Sequence, residues 1–242
     1  MIDYSSLQNL ATEYKTTNQN AAREYCQHIF LSNLYKLNLS GVENLLFKGG
    51  TALKIVYQSP RFSEDLDFSS FSLDKKNIEE IFINVLAEIE KSGFQTKLTE
   101  AKKTSGGYLG KAFFLFLDFN LEIMIQVHFK KEEKINGDFH LITSDYLPAY
   151  NLLVLPENIL VNEKIKATIT RGKPRDFYDV YFILRKNLLI PENKENLKKV
   201  LNSLENSKIN FKQELGIFLP KDQQQIIGNF ENVLKAEIKR HL

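Results

Sequence analysis

Hydrophobic residues recur along the first 155 positions with two different periods, which predicts helices interspersed with strands. Helical spacing predicts a helix from Asn18 to Leu37. The segment LDKKNIEEIFINVLAEIEKSG carries six apolar residues on one face, with Asp74 and Gly93 placed to cap its two ends. This segment is therefore the clearest amphipathic helix in the sequence.

Strand-like patterns occupy much of the same region. EDLDFSS, FQTKLTEAKK, KAFFLFLDF and LEIMIQVHF are predicted strands, and TSGG is a predicted turn. VENLLFKGG has the pattern of a short buried strand or an apolar turn, and TALKIVYQ after it has that of a short helix. In LEIMIQVHF, the polar face carries Glu122, Gln126 and His128, so it faces either solvent or a site.

After Pro148 the pattern becomes helical. LPENILVNEKIKATITR and RDFYDVYFILRK predict two helices, and further helical patterns continue to Leu242. The order of elements predicts an α+β fold. Its parts are a mixed β-sheet with flanking helices in a domain of residues 1–155, and a mostly helical domain of residues 156–242.

The amino-acid composition excludes few classes of protein. The chain has 242 residues, a net charge of +2 and 43% hydrophobic residues, so its overall charge does not indicate nucleic-acid binding. Cys26 is the single cysteine, which excludes an internal disulfide and suits a reducing compartment. With no signal-peptide pattern and no apolar run of about 18 residues, we expect a cytoplasmic protein without a membrane partner.

The segment FKGGTALKIVYQSPRFSEDLDFSS concentrates the candidate chemistry. Asp65 and Asp67 are two residues apart on a predicted strand, so their carboxylates point to the same face and repel unless a cation lies between them. Mg²⁺ binds through one or two carboxylates together with phosphate oxygens. Gly49 and Gly50 would allow close backbone approach to a phosphate at the following helix start. Three other side chains, of Thr51, Arg61 and Lys48, would supply a hydroxyl and positive charge.

Each of these features alone has a simpler explanation, since an Asp-x-Asp pair is commonly solvated and a Gly-Gly pair commonly forms a turn. Their combination resembles a known motif. KGGTAL followed by RFSEDLDF is similar to the first motif of the AbiEii family. This family is the toxin half of type IV toxin–antitoxin and abortive-infection systems, within the polymerase-β-like nucleotidyltransferase superfamily. LPENILVNEKIKATITRGKPRDFYDVYFIL resembles its second, Glu-Lys…Arg…Arg-Asp-x-Tyr-Asp motif.

The resemblance covers Leu45 to Leu184 and implies a Mg²⁺-dependent nucleotidyltransferase that uses an NTP. It implies that Asp65 and Asp67 bind the metal, that Lys164 contacts phosphates, and that Asp176 belongs to the catalytic set. The implied nucleotide-binding residues are Lys48, Gly49, Gly50, Thr51, Arg61, Ser63, Arg175 and Asp179.

The second motif has simpler interpretations too. Between Lys164 and Lys186, seven basic residues stand against two acidic ones, which suits an anionic ligand. Asp176 could instead be an acid that interacts with a helix dipole, and Asp179 could be the i+4 partner of Arg175.

The superfamily places a third carboxylate on a strand beside the Asp-x-Asp strand. In LEIMIQVHF, Gln126 replaces the carboxylate expected deeper in the strand, which leaves Glu122, or Asp118 on the preceding run. Glu122 is the candidate third metal ligand, and His128 is more typical of a surface histidine.

The resemblance suggests a toxin with an RNA acceptor, such as a tRNA 3′ end, and an antitoxin that need not bind it directly. Two alternatives stay open. One is a catalytically degenerate module that binds a nucleotide or a partner protein. The other is a transferase that acts on a small molecule or a protein hydroxyl.

Overall fold

A mixed β-sheet lies at the centre of the first part of the chain. The computed structural model describes residues 1–131 and 133–242, and the strands within them form one seven-stranded sheet. These strands are β1 Leu45–Lys48, β2 Leu66–Ser70, β3 Gln95–Thr104, β4 Gly107–Phe116, β5 Phe119–Phe129, β6 Asp138–Ile142 and β7 Tyr150–Val154. Their order across the sheet is β3-β4-β5-β2-β1-β7-β6. β1 is parallel to β7 and β2 is parallel to β5, whereas the other neighbours are antiparallel.

The described residues divide into two units. The first comprises Met1–Gln58 and Phe62–Leu155, and the second comprises Ser59–Arg61 and Pro156–Leu242. Arg61 is therefore grouped with the C-terminal residues, although only three residues separate it from Asp65 in the sequence.

Helices accompany the sheet in the first unit. They are α1 Tyr4–Glu13, α2 Asn18–Lys36, α3 Gly49–Ile55 and α4 Lys75–Glu90. The predictions of α2 and α4 are confirmed. The Asp74 carboxylate accepts a hydrogen bond from the Asn77 N–H at 2.9 Å, and the Asn77 side chain accepts one from the Asp74 N–H at 3.2 Å. This capping box satisfies two N–H groups that the first turn of a helix leaves without helical partners, and it fixes the start of α4.

The alternation predicted for the last long strand is also confirmed. In β5, Leu121, Ile123 and Ile125 are fully buried, while Glu122 and His128 on the other face are exposed. β5 lies between β4 and β2, so its polar face continues onto the face of β2 that carries Asp67.

Three elements were absent from the sequence prediction, and one began at a different residue. α1 was not predicted, and neither were β6 and β7. β7 is short, and its last three residues, Leu152 to Val154, are all buried, so it lacks the alternation that marks a half-buried strand. β6 is an edge strand in which Phe139 and Leu141 are exposed, which contradicts the usual burial of apolar positions. The glycines do not precede α3, because Gly49 and Gly50 are its first two residues.

The second unit is helical. Its helices are α5 Glu157–Thr170, α6 Pro174–Arg185, α7 Lys194–Asn206, α8 Phe211–Phe218 and α9 Phe230–His241. They enclose a core of their own, in which the rings of Phe211 and Phe230 lie 4.9 Å apart. Tyr178 stacks on Phe230 and Tyr181 meets it edge-on, so both tyrosines pack in or against this core. The predicted α+β class is therefore confirmed. No helix within the described residues is long and apolar enough to cross a lipid bilayer.

One buried hydroxyl ties the parallel pair of strands to α2. The Tyr35 hydroxyl lies 2.8 Å from the carbonyl oxygen of Leu45, which begins β1, and 3.0 Å from that of Leu153 in β7. We expect Tyr35→Phe to lower the free energy of unfolding by about 1–2 kcal/mol, because it removes the one hydroxyl proton that these two carbonyl oxygens share. Urea denaturation measures the effect. Tyr4→Phe is the control, since Tyr4 is 42% exposed, and it should change stability little. Equal effects of the two substitutions would contradict the role assigned to the Tyr35 hydroxyl.

Candidate active site

Asp67 occupies the middle of the sheet. It lies on β2, between Lys48 of β1 on one side and Gln126 of β5 on the other. Asp65 comes directly before Leu66, the fully buried first residue of β2. Both aspartates are half-buried. The pair is therefore fixed at the start of a central strand, with each carboxylate partly accessible.

Gly49 is required by the position of Asp67. Gly49 has a φ of +87°, a conformation that side chains other than that of glycine rarely adopt. A Cβ atom at this position would lie 2.7 Å from Cβ and 2.8 Å from Cγ of Asp67. The missing side chain thus makes room for the Asp67 carboxyl group. Direct approach of Gly49 and Gly50 to a phosphate stays a prediction.

Thr51 is directed at the protein backbone. Its side chain is fully buried, and its hydroxyl donates a hydrogen bond to the carbonyl oxygen of Asp65. A threonine hydroxyl has one proton to donate, so this geometry favours a role in holding Asp65 over the predicted contact with phosphate. The carbonyl oxygen of Ser63 likewise accepts a hydrogen bond, here from the side-chain amide of Gln27 on α2. The sequence analysis did not identify Gln27.

The neighbour of Asp67 on β5 is an amide. Gln126 pairs with Asp67 across the two strands, whereas Glu122 lies four residues earlier, roughly 13 Å along the strand. Asp118 is farther still, in the exposed turn between β4 and β5. In the described part of the chain, no three His, Cys, Asp or Glu side chains are arranged to hold a metal ion. Glu122 consequently does not join the aspartate pair, contrary to the expected third ligand.

The second unit contains a buried carboxylate held by two cations. Asp179 is 1% exposed, and its Oδ1 atom lies 2.8 Å from Nη2 and 2.9 Å from Nε of Arg61. Its Oδ2 atom lies 2.7 Å from Nζ of Lys164. Burial alone would raise the pKa of Asp179, but the two cations outweigh burial and hold that pKa below its usual value. Asp179 is therefore ionised at neutral pH.

This arrangement corrects the simpler interpretation of Asp179, because Arg175 is not its partner. The guanidinium of Arg175 instead lies 3.3 Å from Glu214. Arg61 belongs to the first motif and lies 118 positions before Asp179, so no helical spacing could reveal their ion pair.

The carboxylate of Asp176, in the first turn of α6, is fully engaged in hydrogen bonds within the second unit. It is buried, accepts two hydrogen bonds from the Arg171 guanidinium, and accepts a third from the backbone N–H of Lys173 at 3.1 Å. The carboxylate thereby neutralises an arginine and caps a helix N-terminus. These contacts favour the helix-terminal interpretation of Asp176 over a catalytic one.

A known protein family matches most of this chain. The profile described as "Nucleotidyl transferase AbiEii toxin, Type IV TA system" matches residues 34–239, a span that includes Asp65, Asp67 and the Asp179 ion pairs. The chain belongs to the AbiEii nucleotidyltransferase toxin family. A search of curated proteins gives no match.

Two solved structures share the fold. MenT4, a nucleotidyltransferase toxin from Mycobacterium tuberculosis H37Rv, superposes with a TM-score of 0.72 at 16% identity, over 99% of this chain and 90% of that one. JHP933 from Helicobacter pylori gives a TM-score of 0.60 at 16% identity, over 93% of this chain and 96% of that one. At such identities the likeness concerns the fold, which this AbiEii-family chain shares with a nucleotidyltransferase toxin.

We expect Gly49→Ala to lower the free energy of unfolding by about 2–3 kcal/mol, because the methyl group would collide with Asp67 and the backbone would be strained. Urea denaturation measures this. Gly106→Ala is the matched control, since a Cβ atom there would have no neighbour within 4 Å. If Gly49→Ala were as stable as Gly106→Ala, the close packing of Asp67 against Gly49 would be disproved.

Asp179→Asn should cost about 3–5 kcal/mol of stability at pH 7, because it removes the buried negative charge that Arg61 and the partly buried Lys164 compensate. The folded-state pKa of Asp179 is lowered, so its contribution is complete at neutral pH and is lost as the pH falls below about 4. Unfolding measured from pH 7 to pH 3 should therefore show the gap between wild type and variant closing. The exposed Asp118→Asn serves as control. A gap that is absent at pH 7, or that widens in acid, would contradict this account.

Proposed function

We propose that the protein is a Mg²⁺-dependent nucleotidyltransferase that transfers a nucleotide from an NTP to an acceptor hydroxyl and releases pyrophosphate. The observation that carries this proposal is the pair Asp65 and Asp67 at the start of the central strand. Residue 49 beside it is a glycine, and its lack of a side chain leaves room for the Asp67 carboxyl group. Membership of the AbiEii family supports the general reaction class.

The two carboxylates fit a magnesium ion. Both carboxylates are half-buried, and they are two residues apart in the sequence. The Asp67 carboxylate occupies the space that a Cβ atom at position 49 would fill. Mg²⁺ is commonly held by one or two carboxylates while substrate phosphates supply further oxygens. Bound there, it would neutralise charge on the phosphates and orient the α-phosphate. Asp65 and Asp67 are the residues that would hold it.

Two further side chains would bind the nucleotide phosphates or position the groups that do. Lys164 contacts Asp179 through one of its ammonium protons and is 12% exposed, so we assign it to phosphate binding. Arg61 donates from both Nε and Nη2 to Asp179, and its geometry favours the positioning of that carboxylate over the predicted phosphate contact. In the reaction, the acceptor oxygen bonds to the α-phosphorus. The bond from that phosphorus to pyrophosphate breaks, and the hydroxyl proton leaves to solvent.

We further propose RNA, such as a tRNA 3′ end, as the acceptor. Residues 156–242 contain sixteen Lys and Arg against eleven Asp and Glu, an excess that the whole-chain charge conceals. Phosphate backbones are bound largely through such positive charge. The antitoxin of this system need not bind the protein directly.

A second candidate function is a nucleotide-binding module without transfer activity. The observation in its favour is the neutral amide of Gln126 beside Asp67, where the superfamily has a carboxylate. Without that third carboxylate, nucleotide binding is retained more easily than catalysis.

One experiment separates these functions. Wild-type protein and the double variant Asp65→Asn/Asp67→Asn are incubated with Mg²⁺, each of the four α-³²P-labelled NTPs, and total RNA. We expect the wild type to label RNA and the double variant to lose at least about 100-fold of the rate, since both metal-binding charges are gone. Glu122→Gln is the matched control, because Glu122 is an exposed carboxylate on the same sheet, and it should label RNA normally.

Labelling that persists in the double variant would contradict the metal role of the aspartates. Nucleotide-dependent thermal stabilisation of the wild type without transfer to RNA, protein or small molecules would favour the binding module.

A further inference from the structure

We propose that Gln27 is a positioning residue for Asp65, and that it sets the direction of this carboxylate by holding the backbone just before it. Gln27 lies on α2, a helix that carries none of the predicted site residues. The inference rests on the proposed function, since it concerns the same pair of aspartates.

The contacts involve three consecutive carbonyl groups. The side-chain nitrogen of Gln27 donates to the carbonyl oxygens of Ser63 and Glu64, at 3.0 Å each. The next carbonyl oxygen, that of Asp65, accepts the hydroxyl proton of Thr51. Residues 63–65 lie outside any helix or strand, so side chains rather than a backbone ladder hold these carbonyl groups. Two side chains thus fix the backbone that leads into β2.

The chemistry of the glutamine amide suits this task. Its NH₂ group has two donors, and the two carbonyl oxygens use both of them. Gln27 is 1% exposed, so water is excluded from its side chain. Replacement by a side chain without donors would leave two carbonyl oxygens without these partners and would free the segment to shift.

Two further side chains, one on α2 and one on α3, contact the segment of residues 62–65. Arg23, one turn before Gln27 on α2, lies 3.3 Å from the Glu64 carboxylate. Lys54 on α3 places its ammonium group 4.2 Å from the ring centroid of Phe62. Residues 62–65 are therefore held by α2 and by α3, the helix that also begins with Gly49.

Nothing in the family match points to Gln27, because the matched residues begin at position 34. The residue is 38 positions before Asp65, and its role follows only from the contacts. A carboxylate displaced by about 1 Å can cost 100-fold in rate, so the precision of this backbone segment matters for catalysis.

The test uses the full chain with Gln27→Met, which preserves the length of the side chain and removes both donors. Its matched control is Asn33→Leu, on the same helix, because the Asn33 amide donates to the Ile29 carbonyl of α2 itself and not to residues 63–65 in the described structure. Three quantities are measured at a temperature where circular dichroism shows every variant folded. They are the rate of NTP transfer against Mg²⁺ concentration, the KM for NTP, and the rise in unfolding temperature produced by Mg²⁺ with a non-hydrolysable NTP.

We expect Gln27→Met to lower kcat by about 10- to 100-fold, to raise the Mg²⁺ concentration for half-maximal rate several-fold, and to leave KM for NTP within about 3-fold. The ligand-induced rise in unfolding temperature should shrink. Asn33→Leu should match the wild type in all three. A Gln27→Met protein whose rate per folded molecule, Mg²⁺ requirement and ligand-induced shift equal those of Asn33→Leu would overturn the inference.

A second variant covers the case in which Gln27→Met does not fold. Gln27→Asn keeps the amide but withdraws it by one methylene group, so it should show the same rise in Mg²⁺ requirement. A normal Mg²⁺ requirement in Gln27→Asn would overturn the inference. Failure of the proposed function itself is distinct, since the wild type would then transfer no nucleotide.

Discussion

The Asp67 carboxyl group lies in the space that a Cβ atom on residue 49 would need, and the candidate site depends on this constraint. β1 and β2 are antiparallel, so Lys48 at the end of β1 faces Asp67, and the next residue must turn immediately into α3. Only a residue that tolerates a φ of +87° and carries no side chain fits there. Gly49 therefore both starts a helix and leaves room for a carboxylate, which places these two features at one point of the sheet.

The second unit follows a different physical rule, that of a buried charge compensated by its neighbours. Asp179 accepts hydrogen bonds from Arg61 and Lys164, and Asp176 accepts them from Arg171. Each carboxylate is almost completely buried, and each is stable only because its cations are fixed near it. The acids of the second motif thus organise its basic side chains, and Lys164 is the cation that the proposed reaction uses.

The sequence predicted the features whose cause is local. The Asp74 cap and the apolar face of α4 lie within one short segment, and the alternation of β5 is visible in nine residues. β7 could not be found this way, because it has no alternation of its own and its place in the sheet depends on β1, about a hundred residues earlier, as well as on β6. The same dependence on distant residues explains which parts of the site could be predicted. Asp65 and Asp67 were recognisable as a motif, whereas the Gln27 contacts with residues 63 and 64 and the pairing of Arg61 with Asp179 exist only in the fold.

The central claim is that Asp65 and Asp67 form the metal-binding centre of a nucleotidyltransferase. Its most direct test is a crystal structure of the protein with Mn²⁺ and a non-hydrolysable NTP, in which anomalous scattering locates the metal. The account predicts a Mn²⁺ peak within about 2.5 Å of carboxylate oxygens of both aspartates and of phosphate oxygens of the nucleotide. A nucleotide bound with its metal away from Asp65 and Asp67 would contradict it.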